Sequence, residues 1–200
     1  MKPGGWERIA QYVDRAISPG QEAALRDYRN WLREEAIPAG GLGPEETARI
    51  EDRHIGDSLL FYLGWARPEP PTRLWDLGSG VGLPGIPLAI LLPESEVTLI
   101  DRSGRRVDLA RRAIRVLDLG NVSVQRADIE DLQGKAPMLV SRATMSPDRL
   151  QPLMKKHLEP GGVAVVGGSR IRSPKTSGWH VEEITPDLLD RAVWLLIMRR

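Results

Sequence analysis

The stretch Leu74-Trp75-Asp76-Leu77-Gly78-Ser79-Gly80-Val81-Gly82-Leu83-Pro84-Gly85 constrains this chain more than any other. A short apolar run ends in an aspartate, passes through a turn in which every second residue is glycine, and reaches a proline suited to the first turn of a helix. The pattern predicts a strand, a tight loop and a helix N-terminus, which together present backbone N–H groups to a nucleotide-type cofactor. Gly80-Val81-Gly82-Leu83-Pro84-Gly85 also satisfies G-x-G-x-x-G, and Asp101 follows about twenty residues on, where an acid takes ribose hydroxyls.

Asp76 moves the reading away from a dinucleotide. A carboxylate two residues before the first glycine repels a pyrophosphate and welcomes a cation. S-adenosylmethionine has no phosphate, carries a sulfonium and an ammonium, and offers a ribose diol for Asp101 and an adenine for Asp128, with Ile129 beside it. The donor contacts expected are Asp76, Gly78, Ser79, Gly80, Gly82, Pro84, Asp101, Arg102, Asp128 and Ile129. The plain alternative is a ligand-free turn in which Asp76 caps the helix. An NAD-dependent oxidoreductase is the competing enzyme class, and Asp76 argues against it.

Around this stretch strand and helix signals alternate. Strands are expected over 73–77, 97–100, 122–125, 138–140 and 163–166, and helices over 84–92, 103–117 and 147–158. Such spacing implies right-handed parallel β-α-β units with ligands at the carboxyl ends of the strands. The runs 179–184 and 192–198 predict an antiparallel hairpin that closes the sheet. Before the sheet, apolar residues recur at helical spacing in Trp6, Ile9, Ala10, Val13 and Ile17, and again in Ala24, Leu25, Tyr28, Trp31 and Leu32. A third helix is expected over 45–63. The chain thus reads as one α/β domain over 1–200, a helical extension over 1–67 preceding a Rossmann-like core over 73–200.

Composition excludes more than it selects. Lys+Arg 28 against Asp+Glu 27 leaves a net charge of +1, so bulk charge announces no nucleic acid. With no cysteine, thiolate metal sites, disulfides and cysteine nucleophiles drop out, and no metal site is expected. The opening residues lack a signal peptide's apolar core and no later run is long enough to span a bilayer, so a soluble cytoplasmic protein, not a membrane one, is the expectation. The oligomeric state stays open, with a monomer the simpler expectation.

Five blocks carry a resemblance: Arg53-His54-Ile55-Gly56-Asp57-Ser58-Leu59, the run from Asp76 to Ala89, Thr98-Leu99-Ile100-Asp101-Arg102-Ser103-Gly104-Arg105-Arg106-Val107, Val140-Ser141-Arg142-Ala143, and Leu158-Glu159-Pro160-Gly161-Gly162. Over roughly 51–168 the chain resembles the bacterial small-subunit ribosomal RNA guanine-N7 methyltransferases, a family also called glucose-inhibited division protein B or RsmG. The resemblance implies a class I methyltransferase fold with a helical extension. It also implies S-adenosylmethionine as donor, N7 of a guanine in 16S ribosomal RNA as acceptor, and ribosomal RNA or the small ribosomal subunit as partner. It places Gly78, Gly80, Gly82 and Asp76 along the donor and Asp101 on the ribose. Arg126 and Arg142 match site positions, which adds Arg142 to the expected donor contacts, and His54 matches the histidine of the family's N-terminal block. Arg142 and His54 are the expected catalytic residues.

Two departures fall on the acceptor side. Glu35-Ala36-Ile37-Pro38-Ala39-Gly40-Gly41 replaces the family's Asn-Leu-Thr-type segment, and the lysine before a glycine at the end of Val163-Ala164-Val165-Val166-Gly167-Gly168 is absent. The alternatives are therefore a methyltransferase of divergent specificity, toward another RNA or a small molecule, and a non-catalytic RNA-binding paralogue.

Guanine N7 attacks through a lone pair that needs no deprotonation, so alignment and charge matching suffice and no general base is demanded. N7 alkylation leaves the purine positively charged, so a cation belongs near O6, a phosphate or the donor carboxylate, and Arg142 is the residue expected there. His54 has a plain reading as a helix residue satisfied by Asp57 or Asp76, and Arg126 one as an exposed arginine. On the helix after Ser103, Val107, Ala110, Ile114 and Leu117 face the sheet and Arg105, Arg106, Arg111, Arg112 and Arg115 face outward. That row is either a solvated face or, with Arg102 and Lys155-Lys156, a phosphate footprint. The basic, glycine-bounded run 168–178 is either a floppy connection or a loop that orders on RNA and supplies a cation through Arg170 or Lys175.

Overall fold

The computed structural model describes residues 5–167, 177–184 and 192–200. The strands are β1 (Arg73–Leu77), β2 (Glu96–Asp101), β3 (Val122–Arg126), β4 (Ala136–Arg142), β5 (Leu158–Gly167), β6 (His180–Ile184) and β7 (Val193–Arg199). They form one seven-stranded sheet in the order β3-β2-β1-β4-β5-β7-β6. Strands β1 to β5 run parallel, and β7 pairs antiparallel with both β5 and β6. Met138, Leu139, Val140, Val163, Ala164 and Val165 are all fully buried, as unbroken apolar runs must be in strands covered on both faces. The chain order reverses between β1 and β4, and that crevice at the strands' carboxyl ends is where an open α/β sheet binds ligands.

One face carries α1 (Gly5–Tyr12), α2 (Pro19–Trp31), α3 (Asp57–Leu60), α4 (Gly85–Leu91) and α5 (Gly104–Val116), and their apolar residues join a single cluster running from Trp6 to Ile197. The other face carries α6 (Pro147–His157), with Leu150 and Met154 packed toward Leu139 and Leu196. Helix α2 begins with a reciprocal cap: Gln21 N–H donates to Ser18 Oγ at 3.2 Å, and Gln21 Oε1 accepts from Ser18 N–H at 2.8 Å. Gln21 Nε2 also donates to the Ile90 carbonyl at 2.8 Å, tying the start of α2 to the end of α4. At Gly64 an added Cβ would strike Val165 Cγ2, so the extension reaches the sheet where only a glycine fits.

The N-terminal helices differ from their sequence pattern. The first ends at Tyr12 and does not reach Ile17. The helix expected over 45–63 is four pieces: a 3₁₀ turn Pro44–Arg49, a π-helical turn Ile50–Gly56, α3, and a 3₁₀ turn Phe61–Gly64. Within the π-helical turn His54, Ile55 and Gly56 are buried in succession. Wide turns of this kind re-aim side chains.

Candidate functional site

The glycine-rich loop leaves β1 and is held by the end of β2. Gly78 and Ser79 donate N–H groups to Ile100 O at 2.8 and 3.0 Å. Asp101 Oδ2 accepts from Gly80 N–H at 3.0 Å and its Oδ1 from Ser103 N–H at 2.9 Å, so one carboxylate joins the loop to the entry of α5. Gly78, Gly80 and Gly82 have φ of 75°, 59° and 99°, a region that favours glycine. Their faces differ. A Cβ on Gly78 would meet Thr144 and one on Gly82 would meet Ile86, whereas at Gly80 nothing lies within 4 Å. Gly80 is the open point of the cradle.

Asp76 is fully buried beneath this loop. Its Oδ2 accepts from Gly85 N–H at 2.8 Å, at the start of α4, while Oδ1 has no hydrogen-bond partner. Burial pushes its pKa up to about 7, against the opposing pull of Gly85 N–H and Arg142. Asp76 thus bonds the first N–H of α4, whose N-cap position is held by Pro84.

A cleft of about 1010 Å³ opens over the loop and continues across the ends of β4, β5 and β7. Of the residues singled out from sequence, His54, Gly78, Ser79, Gly80, Asp101, Arg102, Asp128, Ile129 and Arg142 line it. Asp76, Gly82 and Pro84 do not reach its wall, because they build the loop's underside. Arg126 does not line it either: its Nε donates to Arg102 O at 3.4 Å on an exposed surface. Arg170 and Lys175, and most of the run 168–178, lie outside the described residues.

The far side of the cleft centres on Arg142, at the end of β4. Its Nη1 donates to Arg53 O at 3.1 Å and its Nη2 to His54 Nδ1 at 3.1 Å. His54, 7% exposed, bonds through Nε2 to Glu46 Oε2 at 2.9 Å, so its partners are Arg142 and Glu46 and not Asp57 or Asp76. Burial, then the Arg142 charge, lowers the His54 pKa to about 4 against Glu46's opposing effect, which keeps the ring neutral at pH 7. Phe61 and Trp194 add aromatic wall on this side. Neither stood out in the sequence, because an aromatic residue in an apolar run reads as core. Gly167, at the end of β5, faces them: an added Cβ would meet Phe61 Cζ at 2.8 Å and Arg142 Cγ at 3.3 Å. A longer side chain has no room there unless Phe61 moves.

The arginine row on α5 is largely spoken for. Arg105 donates to Ala39 O, Arg112 pairs with Glu35 at 2.7 Å, and Arg111 with Asp108 at 3.7 Å. Arg105 and Arg112 thus fasten the segment 35–41 to the core. Arg106 and Arg102 face the cleft, 3.8 Å from Asp101 and 3.6 Å from Asp128. Among the described residues no group of three or more His, Asp or Glu side chains is placed to hold a metal ion.

A parallel sheet with a terminal antiparallel hairpin, a glycine loop after β1 and an acid at the end of β2 define the class I methyltransferase fold. The chain belongs to the rRNA small subunit methyltransferase G (GidB) family, whose model matches residues 21–170. The ribosomal RNA small subunit methyltransferase G of Acidothermus cellulolyticus is 35% identical over 147 residues, covering 72% of this chain and 64% of that protein. That of Mycolicibacterium gilvum is 40% identical over 145 residues, covering 70% and 62%. The matched region thus spans somewhat less than two thirds of these relatives. The ribosomal protein L11 methylase structure from Lactobacillus delbrueckii subsp. bulgaricus shares the fold, with a TM-score of 0.57 at 19% identity over 72% of this chain and 78% of that one.

Proposed function

We propose that this protein transfers the methyl group of S-adenosylmethionine to N7 of a guanine in small-subunit ribosomal RNA. The observation that carries the proposal is the joining of two family blocks in one cleft: the glycine loop with Asp101 on one side, Arg53, His54 and Arg142 on the other. The residues present suit the donor. Gly80 leaves open space, Asp101 and Asp128 offer carboxylates, and Ser79 Oγ is buried without a partner. A fully buried carboxylate beneath the loop, with an unpaired Oδ1, favours a cation above it. Gly80, Asp101, Asp128 and Ile129 would hold the nucleoside and Ser79 the amino-acid end. When bound, the donor supplies an electrophilic methyl on a sulfonium.

The protein's own contribution is positioning. No side chain need take a proton from the acceptor, and neutral His54 is committed to Arg142 and Glu46. Arg142 presents a fixed cation beside the aromatic wall of Phe61, where a base edge such as guanine O6 finds a donor. Alignment alone is worth effective molarities of about 10⁵–10⁸ M in well-oriented reactions. A ribosomal substrate places the work in the cytoplasm, and no described helix is long and apolar enough to cross a membrane.

The test is transfer of labelled methyl to small ribosomal subunits and to naked 16S RNA, read out as 7-methylguanosine by nucleoside mass spectrometry. Unchanged 7-methylguanosine in a deletion strain overturns the proposal. One observation favours a second reading: Val166 and Gly167 line the cleft where the family's lysine is expected. A paralogue that binds RNA without turnover would show RNA affinity and no transfer.

A further inference from the structure

Glu46 does not line the cleft, yet its carboxylate is only 14% exposed and faces inward to His54. We propose that Glu46 is a positioning residue that acts through His54 to hold the Arg142 guanidinium in place at the cleft. What Arg142 does there rests on the methyltransferase reading above; how it is held rests on hydrogen-bond direction.

A guanidinium has only donors, so His54 Nδ1 must meet Arg142 Nη2 with a lone pair. The proton of the neutral ring then sits on Nε2 and donates to Glu46 Oε2, 2.9 Å away. Glu46 Oε1 is in turn approached by Arg53 Nη1 at 3.4 Å and Arg49 Nη1 at 3.7 Å, which fixes the carboxylate. Arg142 Nη1 bonds the Arg53 carbonyl, so the guanidinium is gripped twice by the π-helical turn that carries Arg53 and His54. Each link has one direction: the carboxylate accepts, the guanidinium donates, and the imidazole between them does both. Removing Glu46 lets the ring move its proton to Nδ1, where N–H would confront the N–H groups of Arg142. Second partners that fix an imidazole tautomer do so in the same way at metal sites, where losing them costs about 10–100-fold in activity or metal affinity.

The experiment compares Glu46→Ala, Glu46→Gln, His54→Asn and His54→Gln in the full chain, with three readouts: methyl transfer to small ribosomal subunits, calorimetric affinity for S-adenosylmethionine, and the ring nitrogens of His54 by ¹⁵N correlation spectra. The wild-type ring is expected as the Nε2–H form. Glu46→Ala should mix the tautomers and lower kcat about 10–100-fold at nearly unchanged donor affinity. Glu46→Gln, whose amide oxygen still accepts from Nε2–H, should retain most activity. His54→Asn, whose side-chain oxygen stands in for Nδ1, should exceed His54→Gln, which leaves Arg142 without that acceptor, and Glu46→Ala should add nothing to His54→Asn.

A wild-type proton on Nδ1, or Glu46→Gln as impaired as Glu46→Ala, overturns the proposal. If Glu46→Ala does not fold, the two His54 variants and Glu46→Gln decide the matter. If the wild-type protein transfers no methyl to ribosomal RNA, the functional reading fails while the ring spectra still settle the relay.

Discussion

The hydroxyl of Tyr28, in α2, donates to the backbone carbonyl of Val81 at 2.9 Å, so the N-terminal extension grips the glycine-rich loop through a buried hydrogen bond. Burial holds the phenol's pKa well above its ordinary value, so it stays a donor at any pH the protein tolerates. Tyr28→Phe strands that carbonyl at a cost of about 1–3 kcal/mol. The expected result is a folded variant of lower melting temperature that binds S-adenosylmethionine several-fold more weakly. Unchanged donor affinity by calorimetry would mean that the bonds to Ile100 and Asp101 shape the loop without Tyr28.

Two glycines of the cradle separate binding from folding. Gly80 has φ 59° and open space around it, so Gly80→Ala carries left-handed strain of roughly 1–2 kcal/mol and sets a methyl in the cleft where the proposed donor site lies. At Gly85 an added Cβ would strike Leu99 Cδ2 and approach Asp76 Oδ2 to 2.8 Å, against the one hydrogen bond that Asp76 makes there. Gly80→Ala is expected to fold and lose donor affinity by tenfold or more. Gly85→Ala is expected to lose stability by about 1–3 kcal/mol or more, as overpacked cores do. Urea denaturation and calorimetry of the two variants check the contrast.

The α5 arginines make a salt-dependence prediction. Arg105 and Arg112 hold Ala39 O and Glu35 on a half-exposed surface, where an ion pair contributes about 0.2–1 kcal/mol. Replacing both with alanine is expected to speed hydrogen exchange in 35–41 and leave the salt slope of RNA binding nearly unchanged. Arg102 is 82% exposed at the cleft, and Arg102→Ala should lower that slope by about 0.7–0.9. Equal slopes for both variants would put the RNA elsewhere.

The sheet was legible because its signals are local. Strand β1 spans the expected residues, and β2, β4 and α5 differ from expectation only at their ends. The partners of His54 were not legible. Glu46 lies eight residues earlier, a separation of about 12 Å along a regular helix, so the contact exists only because 3₁₀ and π turns replace that helix. The position of Asp76 was ambiguous for another reason: an aspartate before a glycine loop suits a cationic ligand and a helix cap equally, and only the packing of α4 on β1 shows that Oδ2 is already used. Phe61 acquires its place in the cleft from the close passage of Gly167, which no spacing in the sequence announces.

Asp76 and His54 titrate with opposite sign in nearly the same pH window. Burial raises Asp76 from 3.8 to about 7, so the unfolded chain ionises it first; its contribution to stability is complete below 3.8 and is lost as pH rises through about 7. Burial and Arg142 lower His54 from 6.5 to about 4, so its contribution is complete above 6.5 and is lost as pH falls through about 4. Each slope reaches up to about 1.4 kcal/mol per pH unit, and between about pH 4.5 and 6.5 the two oppose. The wild-type protein is therefore expected to show little net dependence from this pair across that range. Asp76→Asn keeps the acceptor for Gly85 N–H and should make stability climb with pH; His54→Asn keeps the acceptor for Arg142 and should make it fall. Urea denaturation of both variants at four pH values measures the slopes, and the same slope in wild type and variants would show that burial does not displace these two groups.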